Sequence, residues 1–131
     1  MRILLTNDDG ISAPGIEAMH DAIIDADGHF GGPLGGADSL CYPIAPLTVQ
    51  SATSHGITFH SPIMVKPVRV NERMSGIAVD ARPADCVKLA VSNLWPEKFG
   101  EGSRPDLLIS GMNAGTNVGI NVIYSGTVAA A

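Results

Sequence analysis

Asp8 and Asp9 are consecutive carboxylates that follow a short apolar run and precede Gly10. Inside a regular strand neighbouring side chains face opposite sides. At a strand end, with a flexible glycine next, both can turn toward one point. Paired carboxylates without His or Cys beside them suit a hard, oxygen-preferring cation such as Mg²⁺ or Mn²⁺. Taken alone, Asp-Asp-Gly is more often a plain turn leading into a helix. A second polar loop over residues 110–119 shifts that balance. Asn113 and Asn117 offer amide oxygens to an ion, while Gly111, Gly115 and Gly119 leave backbone N–H groups open to a phosphate. The plain reading there is a turn that uses Gly and Asn for positive φ. Ser125, Gly126 and Thr127 precede a helix start, where they can cap it or bind phosphate at its positive end.

Other polar residues carry less. His55 and His60 are five apart, on opposite faces of a continuous strand, and make poor partners on one metal. Ser51 and Ser54 lie in the same middle arm. Cys86 sits among apolar helix positions and reads as core, not nucleophile.

The elements that must position these groups follow from the pattern. Arg2 to Thr6 reads as a buried strand closed by the Asn-Asp-Asp-Gly turn. A helix follows, with Ser12 as the expected cap, Pro14 in the first turn, and Ile16, Met19 and Ile23 on one face. Residues 27–38 are Gly-rich and aperiodic, a loop. Residues 42–46 can hold a short strand, although Pro43 and Pro46 limit the ladder it can share. Residues 50–62 favour β structure and residues 63–70 alternate, so a hairpin or arm is expected there. Pro83 opens a second helix with Val87, Ala90, Val91 and Leu94 on its face, and Trp95-Pro96 is expected to end it. Residues 106–110 form another buried strand, and residues 128–131 begin a helix. Strands alternating with helices point to an α/β fold with a mostly parallel sheet. In such sheets ligands collect at the carboxyl ends of the strands. If the first and last strands are neighbours, the two polar loops meet.

Composition bounds the partners. The chain has 131 residues, 45% hydrophobic and 16% charged, enough for one domain and one core. A net charge of −5 without clustered Lys and Arg argues against a nucleic-acid polymer as partner, because such a surface needs cations to displace phosphate counterions. A single mononucleotide held through a metal stays compatible with it. No apolar run approaches the roughly 20 residues that span a bilayer. Two carboxylates come too early for a signal peptide, and Cys41 and Cys86 suggest no disulfide framework. The expected setting is cytoplasmic, without a membrane.

Four blocks in order carry a resemblance across essentially the whole chain. They are Ile3-Leu4-Leu5-Thr6-Asn7-Asp8-Asp9-Gly10-Ile11, then Ala45-Pro46 with Gln50-Ser51-Ala52-Thr53-Ser54-His55, then Pro83-Ala84-Asp85-Cys86-Val87-Lys88, and last Ser110-Gly111-Met112-Asn113 through Tyr124-Ser125-Gly126-Thr127-Val128. Together they resemble the SurE (survival protein E) nucleotidases. The resemblance implies a Rossmann-like α/β core and divalent-metal-dependent hydrolysis of nucleoside monophosphates, in some members also of polyphosphate. It implies one Mg²⁺ or Mn²⁺ held by Asp8, Asp9, Ser51 and Asn113, with Asp8 and Asp9 catalytic. Gly115, Asn117, Ser125, Gly126 and Thr127 are the expected substrate-binding residues. A homo-oligomer, dimer or tetramer, is expected of the full-length form. The chain departs from the family pattern at Ala81-Arg82, where Gly-Thr is usual, and in a longer, Gly-richer segment over residues 28–42. It stops inside a helix, so an N-terminal portion with weak activity is expected.

Three rivals stand beside this reading. An aspartyl-phosphate phosphatase spaces its aspartates Asp-x-Asp with the first as nucleophile, and neither Asp8 nor Asp9 has that partner. A non-catalytic nucleotide-binding module, or an inactive remnant, would lack metal-stimulated hydrolysis. No Gly-x-Gly-x-x-Gly or Gly-Lys-Ser/Thr supports a binding module. Whether Asp9 serves as general base is left open by the sequence.

Overall fold

Arg2–Thr6 forms strand β1, and its apolar side chains divide between two cores. Ile3 and Leu5 enter one and Leu4 the other, the period of two that a doubly covered strand requires. All three are fully buried, and each contributes roughly 1.5–3 kcal/mol relative to exposure. The computed structural model describes residues 1–50, 57–58 and 61–131. Ser51, Ser54, His55 and His60, with most of residues 50–62 of the expected arm, lie outside the described residues.

Helix α1 (Pro14–Ile24) packs Ile16 and Ile23 onto the first core, with Met19 against it. Its N-cap is Ala13, and no side chain caps it. Ser12 is therefore one residue too early for the role expected of it. Strand β2 is Leu40–Pro46 and runs through the middle of the sheet despite its prolines. Its first half, to Pro43, pairs with β1, and its second half, to Pro46, pairs with β4 (Ser75–Val79). Each proline stands at the last pair of one ladder, where a missing N–H costs least. Strand β3 (Val65–Arg69) completes an antiparallel hairpin with β4. Among the described residues the partner of β3 is β4.

Helix α2 (Pro83–Leu89) passes through a wide π segment, Ala90–Leu94, into α3 (Trp95–Phe99). The sequence predicts a stop at Trp95-Pro96, and the helix continues past it into α3 for a local reason. In the wide i to i+5 pattern, the carbonyl that Pro96 would serve belongs to Val91, and Pro96 has no N–H to give. Arg104 Nη1 donates to that carbonyl at 2.9 Å instead. Cys86, Ala90 and Trp95 fill the second core with Leu4, Ile44 and Val79. Cys86 is fully buried, and burial is the main cause pushing its thiol up to about 12. It is core, as its neighbours suggested.

Strand β5 (Leu107–Ser110) pairs with β1 in parallel, giving the order β3-β4-β2-β1-β5, antiparallel only at β3. The first core carries α1 and the second carries α2 and α3, so helices cover both faces. A 3₁₀ segment, Gly119–Tyr124, leads into α4 (Gly126–Ala130). Among the described residues no helix is long and apolar enough to cross a membrane.

Candidate functional site

The chain leaves β1 for β2 through α1 and reaches β5 through α2 and α3 on the other face. The crevice between the carboxyl ends of β1 and β5 is therefore where the winding reverses, the place where open α/β sheets bind ligands. Asp8 and Asp9 leave one strand there and residues 111–117 leave the other.

The turn after β1 is held by Asn7, which is fully buried. Its amide donates to the Gly10 carbonyl at 2.9 Å and its Oδ1 accepts from the Gly10 N–H at 3.2 Å. Gly10 has φ +101°, which a side chain would oppose. This clamp fixes the path of the two aspartates. Asp8 is 5% exposed, and its Oδ1 accepts from Thr127 Oγ1 at 2.6 Å. Ser110 Oγ in turn donates to the Thr127 carbonyl at 2.6 Å. The end of β5, the first turn of α4 and Asp8 are thus linked in one chain of short bonds. Gly126 lies so close that a Cβ would sit 2.9 Å from Asp8 Cβ and 3.1 Å from Pro83 Cγ.

Asp9 is half-buried and crosses to the second loop, where its Oδ2 accepts from the Ala114 N–H at 2.8 Å. Asn113 donates its amide N–H to the Gly115 carbonyl at 2.9 Å, which leaves its Oδ1 as an acceptor. Among the described residues the second oxygen of each aspartate accepts no hydrogen bond. Asp8, Asp9, Asn113, Gly115, Asn117 and Ser125 line one cavity of about 520 Å³. No Lys, Arg or His is among its described lining residues. Two carboxylates with spare oxygens and an amide oxygen, unopposed by a cationic side chain, fit a hard divalent cation. Among the described residues no group of three or more His, Cys, Asp and Glu side chains gathers at one point, so such an ion would rely on oxygen donors of mixed kind.

Gly126 and Thr127 are buried behind Asp8 and do not line the cavity. Ser125 does line it, and its Oγ accepts from the Val128 N–H at 3.2 Å as the helix cap. Ser51 lies outside the described residues. Its chain neighbour Gln50 donates its backbone N–H to the Asp8 carbonyl at 2.8 Å. Sequence reasoning missed Asn7 as the clamp, although an Asn three residues before Gly is a recognisable turn signal. It also missed Asn121 and Tyr124, which line the same cavity. Asn121 stands in an otherwise apolar stretch, and Tyr124 opens the last motif block without a polar spacing that marks it as a binding residue.

The same chain resembles known proteins over nearly its whole length. A family model described as Survival protein SurE matches residues 3–131. The 5'-nucleotidase SurE of Desulforudis audaxviator (strain MP104C) is 49% identical over 132 residues, covering 100% of this chain and 45% of that protein. The 5'-nucleotidase SurE of Syntrophobacter fumaroxidans (strain DSM 10017 / MPOB) is 47% identical over 131 residues, with the same 100% and 45% coverage. The crystal structure of the SurE protein from Aquifex aeolicus matches with a TM-score of 0.72 at 32% identity, over 99% of this chain and 44% of that one. The chain thus spans about 45% of the length of these curated relatives. On this match of family, sequence and fold, the chain belongs to the SurE survival-protein family.

Proposed function

We propose that the crevice between β1 and β5 is a phosphomonoesterase site that releases phosphate from nucleoside monophosphates with the help of Mg²⁺ or Mn²⁺. The observation that carries the reading is the convergence of Asp8, Asp9 and Asn113 on one cavity, each with an oxygen to spare. The names of the relatives, 5'-nucleotidase SurE, agree with it. Asp8, Asp9, Asn113 and Ser51 would hold the ion, which when bound supplies charge neutralisation and Lewis-acid activation at the phosphoryl group.

The residues of the chain divide the remaining work. Asp8 is fixed by Thr127 and cannot swing away from the cavity. Asp9 keeps one oxygen on the Ala114 N–H and has the other free to take a proton from the attacking water. Ser125 uses its oxygen to cap α4, so its O–H proton is free to donate to a phosphoryl oxygen. The backbone N–H groups around Gly115 and Asn117 add donors where negative charge grows in the transition state. Neither Asp8 nor Asp9 has an Asp-x-Asp partner for a covalent step, and direct attack by water should invert configuration at a chiral phosphorus.

Phosphate release from a nucleoside monophosphate, followed across a Mg²⁺ or Mn²⁺ titration and after chelation, tests this reading. Release should appear with the cation and vanish with the chelator. Equal release in both, or trapped phospho-aspartate at Asp8 or Asp9, would overturn it.

A further inference from the structure

The reading above accounts for the phosphate end of a substrate and leaves a large part of the cavity unused. A volume of about 520 Å³ lies in the range that holds a whole drug-sized ligand, far beyond a phosphate group alone. Two further lining residues, Asn121 and Tyr124, come from the 3₁₀ segment Gly119–Tyr124. In a 3₁₀ turn, residues three apart eclipse one another. That places Asn121 and Tyr124 on one face, and both line the cavity, whereas Ile120 before them and Val122 and Ile123 between them do not.

Neither side chain has structural employment among the described residues. Tyr124 is 56% exposed. Its ring meets no other aromatic ring and no cation there, and its hydroxyl makes no hydrogen bond. The Asn121 amide makes none either. A tyrosine that buries little of itself while bordering a polar cavity contributes little to folding. An aromatic face beside a primary amide matches the two features of a nucleobase, a flat π surface and an edge of donors and acceptors.

We propose that Asn121 and Tyr124 form the subsite for the nucleoside, with the base stacked on the Tyr124 ring and its edge hydrogen-bonded by the Asn121 amide. This rests on Asp8 and Asp9 marking the phosphate end. It makes the arc after Gly119 the part of the chain that distinguishes a nucleotide from a bare sugar phosphate.

Adenosine is the useful probe, because it reaches the base subsite and has no phosphate to hydrolyse. Calorimetric titration of the chain with adenosine should show binding that Tyr124→Ala weakens roughly five- to a hundredfold, the range that base–aromatic stacking carries. Tyr124→Phe keeps the ring and should retain most of the affinity, and Asn121→Ala should weaken binding less than Tyr124→Ala. Absence of adenosine binding, or equal affinity in the wild type and Tyr124→Ala, would overturn the subsite. So would a Phe variant as weak as the Ala variant. Phosphate release from adenosine monophosphate and from ribose 5-phosphate is measured in parallel. Tyr124-dependent adenosine binding without phosphate release supports the subsite while removing the phosphatase reading. Equal release from both substrates, without adenosine binding, removes the subsite and keeps the phosphatase.

Discussion

Five aspartates of this chain, Asp8, Asp9, Asp25, Asp27 and Asp85, divide into two kinds. Asp25, at the C-cap of α1, accepts from the Phe30 N–H on both oxygens, at 3.2 and 3.1 Å, and from the Gly32 N–H at 2.6 Å. Its neighbour Asp27 is taken up by Arg73, at 2.7 and 3.1 Å. Asp85 is consumed in the same way by the N–H and hydroxyl of Thr58. Asp8 and Asp9 differ in that each spends one oxygen on the fold and keeps the other. An acidic cluster whose oxygens are all engaged organises a loop. One with oxygens left over, beside a cavity, has capacity for a ligand. The Gly-rich segment after α1 therefore has structure without chemistry, and the turn after β1 has both.

Asp9→Asn, with Asp8→Asn beside it, tests the spare oxygens directly. Either change removes charge while keeping shape, so the far-UV spectrum should hold. Cation-stimulated phosphate release should fall on the order of a hundredfold or more, the scale seen when one transition-state contact is lost. Near-normal stimulated turnover in both variants would show that the spare oxygens are idle.

A Gly126→Ala variant sharpens the same point without touching a carboxylate. The added Cβ would meet Asp8 Cβ at 2.9 Å and Pro83 Cγ at 3.1 Å, so Asp8 or α4 must shift. A misplacement of about 1 Å in such a site can cost on the order of a hundredfold. The loss should appear in kcat, with the fold retained by circular dichroism. Unchanged kcat would mean that the Asp8 position tolerates more slack than its bond to Thr127 suggests.

For the consumed kind, Asp25→Ala should give the opposite result. Phe30 and Gly32 lose their acceptor, and Ala must adopt the left-handed backbone that Asp25 occupies at φ 44°. A lower urea midpoint is expected with phosphate release per folded molecule unchanged. Lost activity at full stability would place this loop in the site and end the distinction.

The sequence made part of this legible. An apolar run ending in Asn-Asp-Asp-Gly marks β1 and its turn, since run length, alternation and glycine all agree. The meeting of the two polar loops followed from strand adjacency, and β1 does pair with β5. Pro43 and Pro46 made β2 look weaker than it is, because composition does not reveal that each falls at the end of a different ladder. Pro96 likewise read as a stop, because the compensating donor, Arg104, lies 13 residues from the carbonyl it caps. Ser75–Val79 gave no strand signal of its own, being short and containing Gly76. That glycine is required, since a Cβ there would lie 2.3 Å from the Pro43 carbonyl oxygen. From its neighbours in the chain Thr127 is expected to cap a helix or bind phosphate. Its bond to Asp8 spans 119 residues and is visible only in three dimensions.

The smallest effect concerns Arg82, where the chain departs from the usual family pattern. It is the N-cap of α2, with φ −73° and ψ 160°, and its side chain makes no capping bond. The first helical bond, Cys86 N–H to the Arg82 carbonyl at 3.0 Å, is present. Pro83 has no N–H to satisfy, so the groups a cap would serve are the N–H groups of Ala84 and Asp85. A threonine there, already in the extended backbone a cap needs, can accept from one of them. Arg82→Thr should therefore raise stability by about 1 kcal/mol, read as a higher urea midpoint at unchanged slope. Phosphate release should stay the same, because the Asp85 carboxylate in that first turn is already consumed by Thr58 and belongs to the structural kind. A lower midpoint would show that the Arg82 side chain has structural work of its own. Altered turnover at equal stability would instead show that the first turn of α2, through Pro83 against Gly126, sets the position of Asp8.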